Sequence, residues 1–156
     1  MNQIAGAHGR VLELAAGNGS KSRALATRAL RLDATEATAT GAQLVAAALA
    51  GHGMRTRAVR LAVPGRFARA PYDAAMVAEL LYYLMPRAMT QTASDVARAL
   101  RPGGTLVLAH HRIDFHGFAQ HAAHIQLRFL AQTGQRWHVR SVRRTMRWIV
   151  LACCPS

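Results

Sequence analysis

Apolar residues along this chain follow two spacings, one typical of β-strands and the other typical of α-helices. Short runs of leucine and β-branched residues predict strands, whereas apolar positions at i, i+3, i+4 and i+7 predict helices. The two patterns alternate, which predicts an α/β domain with a mainly parallel sheet. The predicted strands cover 10–14, 30–36, 57–63, 72–78, 105–110, 137–142 and 147–153, and the predicted helices cover 20–29, 38–51, 92–100 and 118–134.

Length and composition favour one folded domain over residues 1–156. Hydrophobic residues make up 51% of the chain and charged residues 17%, which is the balance of a globular protein. No apolar run reaches the roughly 18 residues that a membrane span requires, and no apolar signal core precedes Arg10. We therefore expect a cytoplasmic protein that does not bind a membrane, and the oligomeric state stays open.

The formal net charge of +13 indicates a strongly basic surface. Such a surface attracts nucleic acids and other anions. All but one of the 20 basic residues are arginine, so a biased genome is an alternative cause of this charge. A nucleic-acid surface and a solvated hairpin face both remain open for the densest basic group. That group consists of Arg136, Arg140, Arg143, Arg144 and Arg147.

The most informative stretch joins the first predicted strand to the first predicted helix, over residues 11–19. Gly17 and Gly19 allow a tight turn that brings the backbone close to a ligand, and the free N–H groups of the helix would face that ligand. A second acid, Glu36, follows where a Rossmann-like unit places the carboxylate that holds a ribose. These features together predict a nucleotide-type cofactor site.

Three kinds of cofactor site compete for this turn. A phosphate-binding P-loop is excluded because Ala15 and Ser20 stand where that motif needs glycine. A dinucleotide fingerprint matches imperfectly, since Ser22 stands where its third small residue belongs. The remaining interpretation is a class I S-adenosylmethionine site, in which an acid on the first strand, here Glu13, precedes the turn. An ordinary loop stays the alternative for the turn taken alone.

The order of the motifs resembles that of class I S-adenosylmethionine-dependent methyltransferases. Residues 11–19, Glu36, residues 72–84 and residues 99–106 carry this resemblance, and together they extend over most of the chain. The segment 79–84, followed by residues 110–112 (His-His-Arg) and later by His124, most closely resembles the nodulation protein S branch of small-molecule N-methyltransferases. The resemblance implies a Rossmann-like three-layer sandwich with a seven-stranded, mostly parallel sheet whose last strand runs antiparallel.

The resemblance also implies S-adenosylmethionine as the cofactor and assigns roles around it. Gly17 and Gly19 would lie against its methionine part, Glu13 would organise its amino group, and Glu36 would accept hydrogen bonds from the ribose. Glu79 would border both the cofactor and the acceptor. The complete cofactor set is Glu13, Ala15, Gly17, Asn18, Gly19, Glu36, Ala37, Glu79 and Leu80.

Three positions depart from the family pattern. Ala15 replaces the first glycine of the turn, and Ala62 and Val63 stand where an acid often contacts the adenine. Family members usually carry several tens of residues before the first strand, whereas ten precede Val11 here. We therefore expect the N-terminal lid region to be missing or very short, which would make the chain a fragment, leave the lid to a partner or weaken cofactor binding.

The expected reaction is methyl transfer to a small-molecule acceptor, and the resemblance hints at an amine. His110, followed by His111, leaves the fifth strand at the edge where ligands bind, and His110 is the candidate proton acceptor. Tyr82 and Tyr83 are expected to pack, and no ligand set for a metal is expected. Two alternative functions remain: a basic protein that binds or methylates nucleic acid, and an inactive subunit with a methyltransferase fold.

Overall fold

The computed structural model describes residues 9–156, which form a seven-stranded sheet with helices on both faces. The strands are β1 (Arg10–Leu14), β2 (Arg31–Glu36), β3 (Thr56–Arg60), β4 (Tyr72–Ala78), β5 (Leu100–His111), β6 (Trp137–Arg144) and β7 (Trp148–Pro155). The helices are α1 (Ser20–Ala26), α2 (Ala39–Leu49), α3 (Pro86–Ala99) and α4 (Ile125–Ala131), and short 3-10 helices cover Ala50–Arg55 and Leu81–Tyr83.

The strand order is β3-β2-β1-β4-β5-β7-β6. Strands β1 to β5 pair in parallel, and β7 runs antiparallel to both β5 and β6. This arrangement confirms the predicted Rossmann-like sheet and its antiparallel last strand. The order reverses at β1, because the chain moves outward to β2 and β3 and then returns to pair β4 on the other side. Ligands of open α/β sheets bind above the carboxyl ends of the strands at such a reversal.

Two hydrophobic clusters make the sheet the middle layer of a sandwich. Side chains of β1 alternate between them, since Val11 packs with α1 and α2 whereas Leu12 and Leu14 pack with α3 and α4. Successive strand residues point to opposite faces, so a strand covered on both sides is apolar throughout. All four residues from Val11 to Leu14 are buried. Glu13 is therefore a carboxyl group in an apolar strand.

Several element boundaries differ from the prediction. Helix α4 begins at Ile125, so Phe118 and Ala122 belong to the preceding loop, although the loop buries Ala122 in the core. Strand β5 begins at Leu100, whereas the sequence predicted a strand from Thr105, and it includes the Pro-Gly-Gly segment that was expected to end the preceding helix. Leu100 pairs with Tyr72 and Thr105 with Ala74, so residues 101–104 form an irregularity in the pairing with β4, where Gly103 has a left-handed backbone with φ of 78°. Within the described part of the chain, no helix is long and apolar enough to cross a membrane.

Candidate active site

The turn between β1 and α1 lies at the carboxyl edge of the sheet. Ala15, Gly17 and Gly19 all adopt left-handed backbone conformations there, with φ of 52°, 64° and 82°. An added Cβ on Gly19 would lie 2.7 Å from the Cβ of Ala48 in α2, whereas an added Cβ on Gly17 would have no atom within 4 Å. Gly19 therefore lets the helices pack, and Gly17 leaves open space above the turn.

Glu36 reaches back from the end of β2 to this turn. Its Oε2 accepts a hydrogen bond of 2.9 Å from the backbone N–H of Gly17. Gly41 makes room for the side chain, because an added Cβ there would lie 2.4 Å from the Cγ of Glu36. Among the described residues, no partner is recorded for Oε1 of Glu36. One carboxylate oxygen is thus fixed at the turn while the other is left for a ligand.

Two other residues of the predicted cofactor set flank this carboxylate. The side-chain oxygen of Asn18 accepts a hydrogen bond of 3.0 Å from the backbone N–H of Ser20, which fixes the start of α1. Ala37 follows β2 and is exposed beside Glu36. The structure therefore brings Glu36 to the turn, and Ala37 follows Glu36 in the chain.

Glu13 lies beneath the turn and is 2% exposed. Its Oε2 accepts a hydrogen bond of 2.5 Å from the hydroxyl group of Ser22 in α1. Burial is the main reason that its pKa rises to about 7, although the Ser22 hydroxyl and the charge of Lys21 oppose the rise. This carboxyl group therefore changes its charge near neutral pH, inside the half of the site that the glycine turn forms.

Glu79 marks the end of β4 and has a left-handed backbone with φ of 55°. Its Oε1 accepts hydrogen bonds from the hydroxyl group of Tyr82 and, at 3.3 Å, from the backbone N–H of His111. Its Oε2 lies 3.3 Å from Nε2 of His111. Burial and the contact with Glu79 raise the pKa of Tyr82, so this phenol stays a donor. Glu79 is thereby joined to the end of β5.

His110, in β5, is fully buried. Its Nε2 accepts hydrogen bonds of 3.3 Å from the backbone N–H groups of Leu80 and Leu81. Burial lowers its pKa to about 3, so the ring stays neutral. The predicted catalytic role of His110 is therefore not supported: its lone pair is used to hold the loop after β4, the loop that includes Leu80.

His111 is the histidine that faces the site, and the aromatic rings around it were not identified from the sequence. Its ring centroid lies 4.8 Å from those of Phe115 and Trp148, both in edge-to-face geometry. Tyr82 stacks on Phe118 with centroids 3.8 Å apart. Tyr82, the segment 111–118 and Trp148 come from distant parts of the chain, so no local pattern signals their contact. Strand pairing of His111 with Trp148 brings them together.

Comparison with known proteins decides the family. Residues 11–104, more than half of the chain, match a family described as a methyltransferase domain. The chain belongs to this methyltransferase family. Among curated protein sequences, none matches this chain.

Solved structures with the same fold include two complexes with S-adenosyl-L-homocysteine (SAH). The N-methyltransferase NodS from Bradyrhizobium japonicum WM9 has 17% identity and a TM-score of 0.78, over 94% of this chain and 78% of NodS. DhpI has 20% identity and a TM-score of 0.72, over 99% of this chain and 81% of DhpI. A putative methyltransferase from Pseudomonas syringae has 22% identity and a TM-score of 0.73, over 94% of this chain and 86% of the other. These likenesses establish the fold.

The departures from the family pattern lie where the sequence placed them. Ala62 is exposed after β3, and Val63 is half-buried against the core. The backbone N–H of Leu61 donates a 2.9 Å hydrogen bond to the carbonyl of Glu36, which fixes this segment beside the turn. The described part of the methyltransferase domain therefore has main-chain groups, and no acid, at residues 61–63.

The basic hairpin and the later histidines lie outside the site. All five arginines of the hairpin group are exposed. His121 and His124 precede α4 and do not share a helical face, which corrects the prediction of a helix from residue 118. His121 instead pairs with Asp114, with 2.8 Å between Nδ1 and Oδ2. The described residues contain no group of three histidine, cysteine or acidic side chains arranged to hold a metal ion.

Proposed function

We propose that this protein is an S-adenosylmethionine-dependent methyltransferase that methylates the nitrogen of a small-molecule amine. The observation that carries the proposal is the carboxylate of Glu36, which meets the glycine turn at Gly17 N–H. A carboxylate in this position accepts hydrogen bonds from the two hydroxyl groups of a ribose. The family match supports methyl transfer, and the NodS and DhpI complexes support the adenosyl cofactor.

The residues present fit this cofactor. The left-handed Gly17 has empty space where a side chain would lie, which allows the backbone to approach the methionine part closely. Oε1 of Glu36 is left for the ribose, and Ala37 lies beside it. Main-chain groups at residues 61–63 take the place of the missing acid near the adenine. We further propose that the cofactor's ammonium group lies near Glu13, whose proton is lost when that positive charge arrives.

When bound, S-adenosylmethionine supplies a methyl group activated by a positively charged sulfur. In-line transfer of that group asks little covalent chemistry of the protein, so its residues mainly orient the acceptor and exclude water. Strand β4, which leads into Glu79, lies between β1, which leads into the glycine turn, and β5, which ends at His111. This position suits Glu79 to hold a cationic acceptor. An amine is such a group. The nodulation protein S branch, a cytoplasmic location and the single-domain organisation of residues 1–156 stay predictions.

Calorimetric titration with S-adenosylmethionine and with SAH tests the proposal directly. We expect saturable binding of both ligands. The E36A variant should bind both more weakly, whereas D95A, which removes an acid paired with Arg98 on α3, should bind as the wild type does. Absence of heat at millimolar ligand would overturn the proposal and favour the inactive-subunit alternative.

A nucleic-acid acceptor is the second candidate, and the exposed arginines of the hairpin favour it. Binding through arginine–phosphate contacts weakens steeply as salt rises. Random-sequence oligonucleotides should be retained at low salt and released at moderate salt if this candidate holds. Replacing Arg140, Arg143 and Arg144 by glutamine should then abolish retention, and lack of retention by the wild type at low salt would remove the candidate.

A further inference from the structure

The neighbouring residues His110 and His111 use opposite ring nitrogens. In His110, Nε2 accepts two backbone hydrogen bonds, so the proton of the neutral ring sits on Nδ1. In His111, Nε2 faces the carboxylate of Glu79, so the proton sits on Nε2 and the lone pair on Nδ1. Only His111 therefore keeps a lone pair that the protein does not use.

Glu79 fixes the ring of His111 in this orientation. The two oxygens of Glu79 receive three donors between them: the Tyr82 hydroxyl, the His111 backbone N–H and the His111 ring. Phe115 and Trp148 hold the ring from the sides. The side chains of His111 and Glu79 are still 30% and 32% exposed, so the pair borders solvent.

The free nitrogen of His111 lacks a partner. Nδ1 is shielded from water and has no hydrogen-bond partner among the residues that the structure describes, and the same is true of Nδ1 of His110. In His110 that atom carries the proton, whereas in His111 it carries the lone pair. A polar atom that has lost its water and gained no partner is unfavourable, so this position favours a ligand that brings a donor. Together with the orientation imposed by Glu79, the unused lone pair marks a place for an N–H group.

We propose that His111, oriented by Glu79, is the catalytic residue that accepts the proton of an amine acceptor. This inference rests on the proposed function. At neutral pH an alkylamine is mostly an ammonium ion, whose nitrogen has no lone pair for attack. The negative charge of Glu79 and the faces of the neighbouring aromatic rings attract that ion.

The proton transfer itself is balanced. The N–H bond of the ammonium group breaks, nitrogen keeps the electron pair, and the proton binds Nδ1 of His111. The amine is then neutral and nucleophilic, and His111 is an imidazolium ion stabilised by Glu79. The proton passes to water when the product leaves, which returns His111 to the neutral state.

Nitrogen NMR of the histidine rings tests the assignment without a known acceptor. We expect His111 with its proton on Nε2 and His110 with its proton on Nδ1 at pH 8, and H111N identifies the His111 signals. Replacing SAH by S-adenosylmethionine should move the His111 signals, because the sulfonium charge then lies nearby. His121, which has its own carboxylate partner on an exposed loop, is the matched control and should not move.

Opposite results separate the two proposals. A proton on Nδ1 of His111, or unchanged His111 signals when both ligands are bound, would overturn the role of His111 alone. Failure of both ligands to bind by calorimetry would overturn the proposed function and this inference with it. The E79Q variant should lose the preference for the Nε2 proton, whereas D114N should alter only His121.

Turnover gives an independent test. Primary amines paired with the corresponding alcohols, such as glucosamine with glucose, are screened for SAH formation from S-adenosylmethionine. We expect amines to react and H111N to slow that reaction by about 100-fold while its affinity for SAH stays within about twofold. H121N should react as the wild type does. Equal rates for H111N and the wild type, or reaction of the alcohols only, would overturn the assignment.

Discussion

The two halves of the carboxyl edge of the sheet are held by different kinds of contact. In the turn half, the contacts involve the main chain. The carboxylate of Glu36 accepts a hydrogen bond from the backbone N–H of Gly17, and three left-handed residues shape the turn. In the half at the ends of β4 and β5, side chains hold one another, with Glu79 joined to Tyr82 and His111. The first half is set by local conformation, whereas the second depends on long-range packing.

A buried ionisable group lies below each half. The pKa values of the two groups shift in opposite directions, and each shift favours the neutral form. Burial raises the pKa of Glu13 to about 7 and lowers that of His110 to about 3. Desolvation favours the neutral form of both groups. The difference is that Glu13 still changes its charge in the physiological range, whereas His110 does not.

The largest expected effect separates the two histidines. H110A removes a fully buried ring and leaves two backbone N–H groups without an acceptor, so it should lower the free energy of unfolding by about 4 kcal/mol. H111A removes a partly exposed ring and should cost about 1 kcal/mol. Urea unfolding at pH 8 measures both. Equal losses would contradict the conclusion that His110 supports the fold whereas the partly exposed His111 does not.

The second effect concerns the pH dependence that Glu13 adds. Its pKa in the folded protein lies above the unfolded value of 4.5, so the folded state holds the proton more tightly. Stability from this residue is full below pH 4.5 and falls as pH rises through about 7, by roughly 3 kcal/mol. E13Q keeps an acceptor for Ser22 and should remove this fall. Unfolding of the wild type and E13Q between pH 5 and 8 checks it; parallel curves would be inconsistent with a raised pKa.

The third effect tests the turn half by ligand binding. E36A should weaken S-adenosylmethionine binding by about 100-fold, because each hydrogen bond to a charged acceptor contributes about 1.5 to 3 kcal/mol. The free energy of unfolding should change by less than about 1 kcal/mol, since the carboxylate is partly exposed. H111A should bind the cofactor normally. A cofactor affinity of E36A within threefold of the wild type would break the assignment of this half.

The fourth effect compares the two glycines of the turn. G19A brings a Cβ to 2.7 Å from the Cβ of Ala48 and forces alanine into a left-handed conformation, so it should cost about 2 to 3 kcal/mol. G17A carries only the conformational cost, about 1 kcal/mol, because its Cβ meets open space. Thermal or urea unfolding measures the difference. A more damaging G17A would show that the space above the turn is not open.

The smallest effect concerns Ala15, a residue with a side chain in the left-handed region. Its φ of 52° is easily adopted by glycine, so A15G should relieve strain. The greater freedom of glycine in the unfolded chain offsets part of this gain, which leaves about 0.5 kcal/mol of stabilisation. Urea unfolding resolves such a change when both proteins are measured together. A loss of stability would mean that the methyl group of Ala15 contributes more packing than strain.

The turn half was predictable because its signals are local. The signals are the acid on β1, the two glycines of the turn and the acid at the end of β2. They follow one another along the chain in the order that the pattern requires. The apolar run of β4 was likewise predicted at its observed bounds, 72–78. Gly41 was missed, although a glycine in the first turn of α2 was a signal that something lies close to that helix.

The other half was not predictable because its arrangement depends on strand orientation and loop packing. In β5, Leu106, Leu108 and His110 point to one cluster, and Val107 and Ala109 point to the other. Both faces are covered, so apolar alternation does not say which histidine is buried. Helix α4 was predicted too long because Phe118 and Ala122 pack against the core from a loop and mimic a helical spacing.

Strand β6 forms one margin of the sheet and, among the strands that the structure describes, pairs only with β7. An open strand of this kind offers unpaired backbone groups to any neighbouring polypeptide. Here a bulge between Ser141 and Arg143 interrupts the ladder, and the exposed side chains of Arg140 and Arg144 place like charges along it. Two molecules that meet along this margin repel each other, so the hairpin arginines protect the protein from strand-to-strand aggregation whatever else they bind.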